Sequence, residues 1–173
     1  MIIELRRHAH HNDGNLTQAG ISLAIKVGET MCDQGYTHFA TSRKPRTSQS
    51  LFAFAVGAGD FFALAYGHLE LDALDSVHMG DWREYFAKHD QILVPEEQLV
   101  QDEAARMVEE FRKGTRKIPS DARLLGVGHS PFIECLVYGL TKQIIDPLME
   151  CEGVVLNNYN GEQFRLVKQL RLP

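Results

Sequence analysis

The chain has 173 residues, of which 44% are hydrophobic and 24% charged, enough to bury a core in one domain and too apolar for a disordered polypeptide. Its formal net charge of -5 and pI of about 5.9 argue against nucleic acid or a membrane surface as the partner of the whole molecule. Cys32, Cys135 and Cys151 stand far apart with no CxxC pair, which excludes a disulfide framework or a cysteine zinc site and makes a reducing cytoplasm the expected location.

The chain opens on strand patterning and charge rather than on a basic segment followed by a long apolar one, so no secretory signal is expected. Ile2-Ile3-Glu4-Leu5 reads as a buried strand that changes abruptly into Arg6-Arg7-His8-Ala9-His10-His11. Thr17 is placed to cap a helix in which Ala19, Leu23, Val27 and Met31 recur every fourth residue, with Gly35 as its stop. Thr37-His38-Phe39-Ala40-Thr41 predicts a second strand, and Pro45 suits the first turn of a helix reaching Phe54 or Val56. The most apolar stretch, 51–66, is broken by Gly57, Gly59 and Asp60, and it reads as a buried helix and a following segment rather than a membrane span.

Residues 67–95 give weaker signals: Leu69 and Leu71 suggest a short strand, and 82–87 a helical turn. A helix is expected over 96–112, with Leu99, Met107, Val108 and Phe111 as its apolar positions. Arg123-Leu124-Leu125-Gly126-Val127 predicts a buried strand ending in Gly128-His129-Ser130-Pro131, where Ser130 can cap and Pro131 start a helix over 132–140. Two final strands, 153–157 and 164–170, are joined by an Asn160-Gly161 turn. Strands alternating with helices over 1–173 predict a single domain of α/β class, a three-layer α/β/α sandwich around a mainly parallel sheet.

Three polar clusters follow predicted strands: Arg7-His8, the segment from Ser42 to Arg46, and His129-Ser130. Ligands of open α/β sheets bind at the carboxyl ends of the strands, and helix N-termini there favour anions. Arg7 and Arg46 would supply planar forks for phosphate, and His8 and His129 nitrogens able to attack or to move a proton.

On these residues the chain resembles the histidine phosphatase, or phosphoglycerate mutase-like, superfamily. Leu5-Arg6-Arg7-His8-Ala9 is similar to its Arg-His-Gly motif, and Leu16-Thr17-Gln18-Ala19-Gly20 to its Leu-Thr-x-x-Gly helix start. Thr41 to Ser50 resembles its Ser-Ser-Pro-x-x-Arg-Ala-x-Gln-Thr segment, and Val127-Gly128-His129-Ser130-Pro131 its second-histidine motif. The resemblance implies that His8 is the nucleophile that becomes phosphohistidine, with Arg7, Arg46, His129 and Ser130 around the phosphate. It implies no metal and no cofactor, because fixed cations can stabilise the charge on the transferring group.

The chain departs from the family at several positions. Ala9 replaces a glycine, Arg6 an apolar residue and Arg43 a proline, the two arginines adding charge near the expected pocket. Many members carry a glutamate four residues before the glycine of a Gly-x-Trp segment; Met79-Gly80-Asp81-Trp82 resembles that segment, but the position holds Ser76. Asp75 is therefore taken as the general acid, with Asp72 nearby. A weak acid favours phosphoramidates or activated esters, since an alkoxide needs a proton to leave. The short chain resembles the compact phosphohistidine phosphatases and argues against mutase activity. The expected substrate is a phosphorylated small molecule or a phosphorylated protein.

Two other readings compete. His8 and His10, with His11 and Asp13, resemble the opening of amidohydrolase metal sites, although those barrels need a much longer chain and leave Arg46 and His129 unexplained. A non-catalytic member that binds phosphate or a phosphoprotein would keep the pocket without using His8 as a nucleophile. His10 and His11 either border the pocket or lie in an exposed loop, and His38, His68, His78 and His89 show no partner pattern.

Overall fold

A computed structural model describes residues 1–59, 68–74, 79–89, 92–158 and 163–172. Asp75, Ser76 and the Asn160-Gly161 turn lie outside the described residues. The six-stranded sheet is built from β1 (Ile2–Arg7), β4 (His38–Thr41), β5 (His68–Glu70), β6 (Arg123–Gly128), β7 (Gly153–Asn158) and β8 (Phe164–Leu170), in the order β5-β4-β6-β1-β7-β8. Strands β5, β4, β6 and β1 run parallel, and β7 and β8 antiparallel at one side. A two-residue-per-strand hairpin, β2 (His11–Asn12) and β3 (Asn15–Leu16), follows β1 with Asp13 and Gly14 in the left-handed region; it carries no hydrophobic periodicity and was not expected.

Helices cover both faces. Helices α1 (Gln18–Glu29) and α2 (Pro45–Ala58) pack over Phe39, Leu125 and Val127, while α3 (Met79–His89), α4 (Gln98–Thr115) and α5 (Phe132–Thr141) enclose Ile3, Leu5 and Leu124 on the other side. The three-layer, mainly parallel sandwich expected from the sequence is the one observed. Strand alternation decides which residue serves which layer: Ile3 and Leu5 enter the α3–α5 core, and Glu4 and Arg6 point toward α1 and α2. Each fully buried Ile or Leu contributes about 1.5–3 kcal/mol, so register is strongly specified.

Thr17 caps α1 as expected, its hydroxyl accepting from the Gly20 amide at 3.1 Å. The buried stripe of α1 is Gly20, Ala24, Val27 and Gly28, however, with Ala19 exposed and Leu23 half-buried. Small residues win that face because α1 and α2 approach backbone to backbone: a Cβ on Gly28 would collide with the Phe54 carbonyl, and one on Gly57 with that of Ile25. The helix also stops at Thr30, before Gly35, which takes its positive φ of 66° in the following loop. Pro45 opens α2 as predicted, and the helix runs to Ala58, two to four residues beyond the expected end, where Gly59, at φ 70°, closes it. Helix α3 is longer than the predicted turn, and α4 runs 98–115 rather than 96–112, burying Val100, Ala104 and Thr115 besides Met107 and Phe111. Among the described residues no helix is long and apolar enough to cross a membrane.

Candidate active site

The parallel register sets β1, β6 and β4 side by side at their carboxyl ends, with Arg7 opposite Gly128 and Thr41 opposite Val127. The next residue or two of each strand, His8, His129 and Ser42, are therefore neighbours although 87 residues separate Ser42 from His129. All three are buried. The rings of His8 and His129 lie 5.0 Å apart between centroids in an edge arrangement.

Arg46, in the first turn of α2, joins the two imidazoles. Its Nε donates to His8 Nε2 and its Nη2 to His129 Nδ1, each at 3.2 Å. Since an arginine only donates, both imidazole nitrogens must be acceptors. The His8 proton then sits on Nδ1, which donates to the Ala9 carbonyl at 2.8 Å; the His129 proton sits on Nε2, which donates to Ser42 Oγ at 2.9 Å. His8 thus presents the lone pair of Nε2 toward the guanidinium. Ser50 holds the backbone beneath it, its hydroxyl accepting from the Ala9 amide at 3.0 Å and donating to the Arg46 carbonyl at 2.7 Å. Ser42 is held in turn by Thr47 at 3.1 Å and by the Lys44 amide at 3.2 Å.

Burial lowers the His8 pKa to about 4, assisted by the charges of Arg46, His11 and Arg7. Burial lowers that of His129 to about 2, assisted by Arg46, His8, Lys44 and His11. Both rings are neutral near pH 7, the state a nitrogen nucleophile needs.

Arg7 reaches the same edge from β1. Its Nη1 donates to the Leu148 carbonyl at 2.6 Å, and its Nε is buried with no partner. Arg6 does not join it: alternation turns Arg6 to the opposite face, where Nε pairs with Glu4 at 2.6 Å and Nη1 donates to the Cys151 carbonyl at 2.8 Å. The expected extra charge at the pocket from Arg6 is thereby corrected. Arg43 is exposed and pairs with Asp72 at 2.9 Å, which engages one of the two aspartates considered as acids; Asp75 lies outside the described residues.

Ser130 caps nothing. Helix α5 begins at Phe132 with Pro131 at its N-cap and no side-chain cap, and the Ser130 hydroxyl donates to Glu134. The N-cap position falls on Pro131, one residue beyond Ser130, which takes the serine out of capping register.

The histidines after His8 divide. His11 borders the site, its ring 4.9 Å from that of His8, with Nδ1 buried and unpartnered and its pKa lowered by burial and then by Arg46. His10 is exposed and bonds Thr17 Oγ1 at 2.9 Å, because the turn into β2 breaks the alternation that would set it beside His8. Among the described residues no three His, Cys, Asp or Glu side chains are grouped to hold a metal ion. Sequence reading missed Glu134, whose only signal is a carboxylate inside the apolar run Phe132-Ile133-Glu134-Cys135-Leu136-Val137.

No protein-family model matches the chain, and no curated protein matches it by sequence. Solved structures match it over nearly its whole length. A mycobacterial glucosyl-3-phosphoglycerate phosphatase with inorganic phosphate superposes with a TM-score of 0.74 at 15% identity, covering 98% of this chain and 97% of that one. A phosphoserine phosphatase of Entamoeba histolytica with 3-phosphoglyceric acid gives 0.73 at 13%, covering 99% and 97%. Bacillus stearothermophilus YhfR gives 0.69 at 14%, covering 96% and 95%. At these identities the likeness is one of fold.

Proposed function

The chain has the fold of the histidine phosphatase superfamily, and from that premise we propose that it is a metal-independent phosphatase acting through a covalent phosphohistidine on His8. The observation that carries this reading is Arg46 spanning His8 Nε2 and His129 Nδ1, a charged fork set against a neutral nucleophile. The neighbours named above include phosphatases of phosphorylated small molecules, one of them holding inorganic phosphate and another of its structures VO3.

A phosphoryl group seated at the strand ends takes the N–H groups of Arg46 and Arg7 on its equatorial oxygens, with His129 beside them. The Nε2 lone pair forms the P–N bond as the bond to the leaving group breaks. The Ala9 carbonyl, accepting from Nδ1, stabilises the positive charge that develops on the ring. Water then attacks phosphorus and passes a proton back to the carboxylate that protonated the leaving group, the P–N bond breaks and its electron pair returns to Nε2. Asp75 is proposed as the donor of the proton that an alkoxide needs, and an imidazole leaving from phosphohistidine departs with little such help. The substrate is a phosphomonoester or a phosphohistidine, of a small molecule or of a protein. The three cysteines are free, which suits a cytoplasmic setting.

Intact-mass spectrometry after brief mixing with para-nitrophenyl phosphate or a phosphoramidate tests the mechanism. The native chain gains one acid-labile phosphoryl group, and His8→Ala shows no adduct and loses at least about 10⁴-fold in turnover. A His8→Ala chain that still turns over would point to a metal site; absence of both adduct and turnover in the native chain would point to a binding protein. Asp75→Asn lowers turnover of an alkyl phosphate by about 10²-fold and leaves the aryl phosphate and phosphoramidate nearly unchanged. Equal losses on all three would remove Asp75 from the role of acid.

A further inference from the structure

Glu134 is 2% exposed in the first turn of α5, among side chains that are otherwise apolar. A carboxyl group in such a place is destabilising unless it is bonded. One of its oxygens, Oε1, accepts from the Leu148 amide at 2.8 Å and from the Ser130 hydroxyl. The carbonyl of the same Leu148 accepts Arg7 Nη1 at 2.6 Å. Leu148 is fully buried, so its backbone is gripped from both sides, by Glu134 at the amide and by Arg7 at the carbonyl.

The polar atoms that this arrangement leaves over are the second Glu134 oxygen, Oε2, and Arg7 Nε, both buried and unpartnered. The Arg7 charge acts on the Glu134 carboxyl, opposing the burial that raises its pKa. The same carboxylate thus touches both strand ends that meet at His8: the β6 end through Ser130, next to His129, and the β1 end through Leu148 and Arg7. An arginine that aids phosphoryl transfer must be held before the substrate arrives, because a fork free to rotate loses its advantage over a point charge.

We propose that Glu134 is a positioning residue for phosphoryl transfer, fixing the Arg7 guanidinium through the Leu148 backbone and the His129 turn through Ser130. This rests on the phosphatase reading above. Glu134 touches no substrate; its effect on rate passes chiefly through Arg7 and, to a smaller extent, through His129. A leucine at this position fills the volume and buries without cost, yet leaves the Leu148 amide, and hence the Arg7 acceptor, without an anchor.

The test is a double-mutant cycle on para-nitrophenyl phosphate, combining Glu134→Leu with Arg7→Ala. Glu134→Leu is expected to lower kcat about 30-fold in the native background, with a smaller change in KM, and less than about threefold in the Arg7→Ala background. Glu134→Gln, which keeps an acceptor for Leu148 and Ser130, recovers most of the native kcat. Equal losses in both backgrounds, or an unchanged kcat in Glu134→Leu, would overturn the proposal. If Glu134→Leu does not fold, Ser130→Ala, which cuts one of the two bonds to Oε1, goes through the same cycle with an expected loss of about fivefold. A native chain without His8-dependent turnover would overturn the phosphatase reading itself, a different result from uncoupled losses.

Discussion

Arg6 and Arg7 are adjacent in the chain and serve two different clusters. On the α1–α2 side of β1, Arg6 pairs with Glu4 at 2.6 Å, Tyr36 donates to the other Glu4 oxygen at 2.6 Å, and the Arg6 guanidinium lies 5.9 Å from the Phe54 ring centre. Charge there is neutralised within the cluster, and burial together with Glu4 pushes the Tyr36 hydroxyl well above its ordinary pKa. At the carboxyl end of the strand, Arg7 bonds a carbonyl, keeps an unpartnered Nε, and has no ion pair among the described residues. Arg46 adds a second guanidinium bonded to two neutral imidazoles. The same residue type, one position apart, is paired directly with a buried carboxylate in one cluster and bonds a backbone carbonyl in the other, where the proposed phosphate would meet its charge. A net charge of -5 for the whole chain conceals this local surplus.

The sharpest way to break that contrast is to remove each arginine. Arg6→Met leaves Glu4 buried without its cation and is expected to cost about 3–5 kcal/mol of stability by urea unfolding, with kcat of the folded protein nearly native. Arg7→Met is expected to do the reverse: kcat on para-nitrophenyl phosphate falls about 10²–10³-fold while stability falls by only about 1–2 kcal/mol, the cost of a Leu148 carbonyl left without its donor. Matching stability losses in the two variants would erase the distinction.

Acid distinguishes the clusters next. His8 and His129, with pKa values lowered to about 4 and about 2, bind fewer protons folded than unfolded between those values and the ordinary 6.5. Stability from their neutral burial is complete above pH 6.5 and is lost as pH falls toward the folded values. Each histidine should account for about 2 kcal/mol of lost stability at pH 5 relative to pH 7.5. Urea unfolding of His129→Gln at the two pH values should show that one share removed. The acid limb of kcat/KM, which reports the free enzyme, is expected near pH 4 rather than 6.5; a limb at 6.5 would mean that His8 is not held neutral.

The smallest effect belongs to Arg43 and Asp72, which pair in solvent at 2.9 Å with both side chains largely exposed. Arg43→Ala should change stability by less than about 1 kcal/mol, because water already solvates both charges. A larger loss would show that this exposed pair behaves like the buried Arg6–Glu4 pair.

The catalytic candidates were legible because each follows a local sign that the fold obeys. Arg7-His8 and His129 end apolar strand runs, Pro45 announces the helix that carries Arg46, and parallel strands bring their carboxyl ends to one edge. Alternation already implied that Arg6 and Arg7 part company, although a pair of adjacent arginines reads as one patch when counted along the chain. The stripe of α1 was less legible, since glycine scores as a helix breaker while here it permits the close approach of Gly28 and Gly57 to the facing helix backbones.

By itself the sequence determined the α/β alternation, the strand-end positions of His8, Ser42 and His129, and the surplus of cationic and imidazole groups there, because hydrophobic period and turn chemistry are local properties. Tertiary structure alone decided that Arg46 bridges the two histidines, that Arg6 is neutralised by Glu4, whose other oxygen accepts from Tyr36, and that Leu148 is held by Glu134 at its amide and by Arg7 at its carbonyl. These are contacts between residues up to 141 positions apart, made by register and burial, and no local pattern in the chain encodes which donor finds which acceptor.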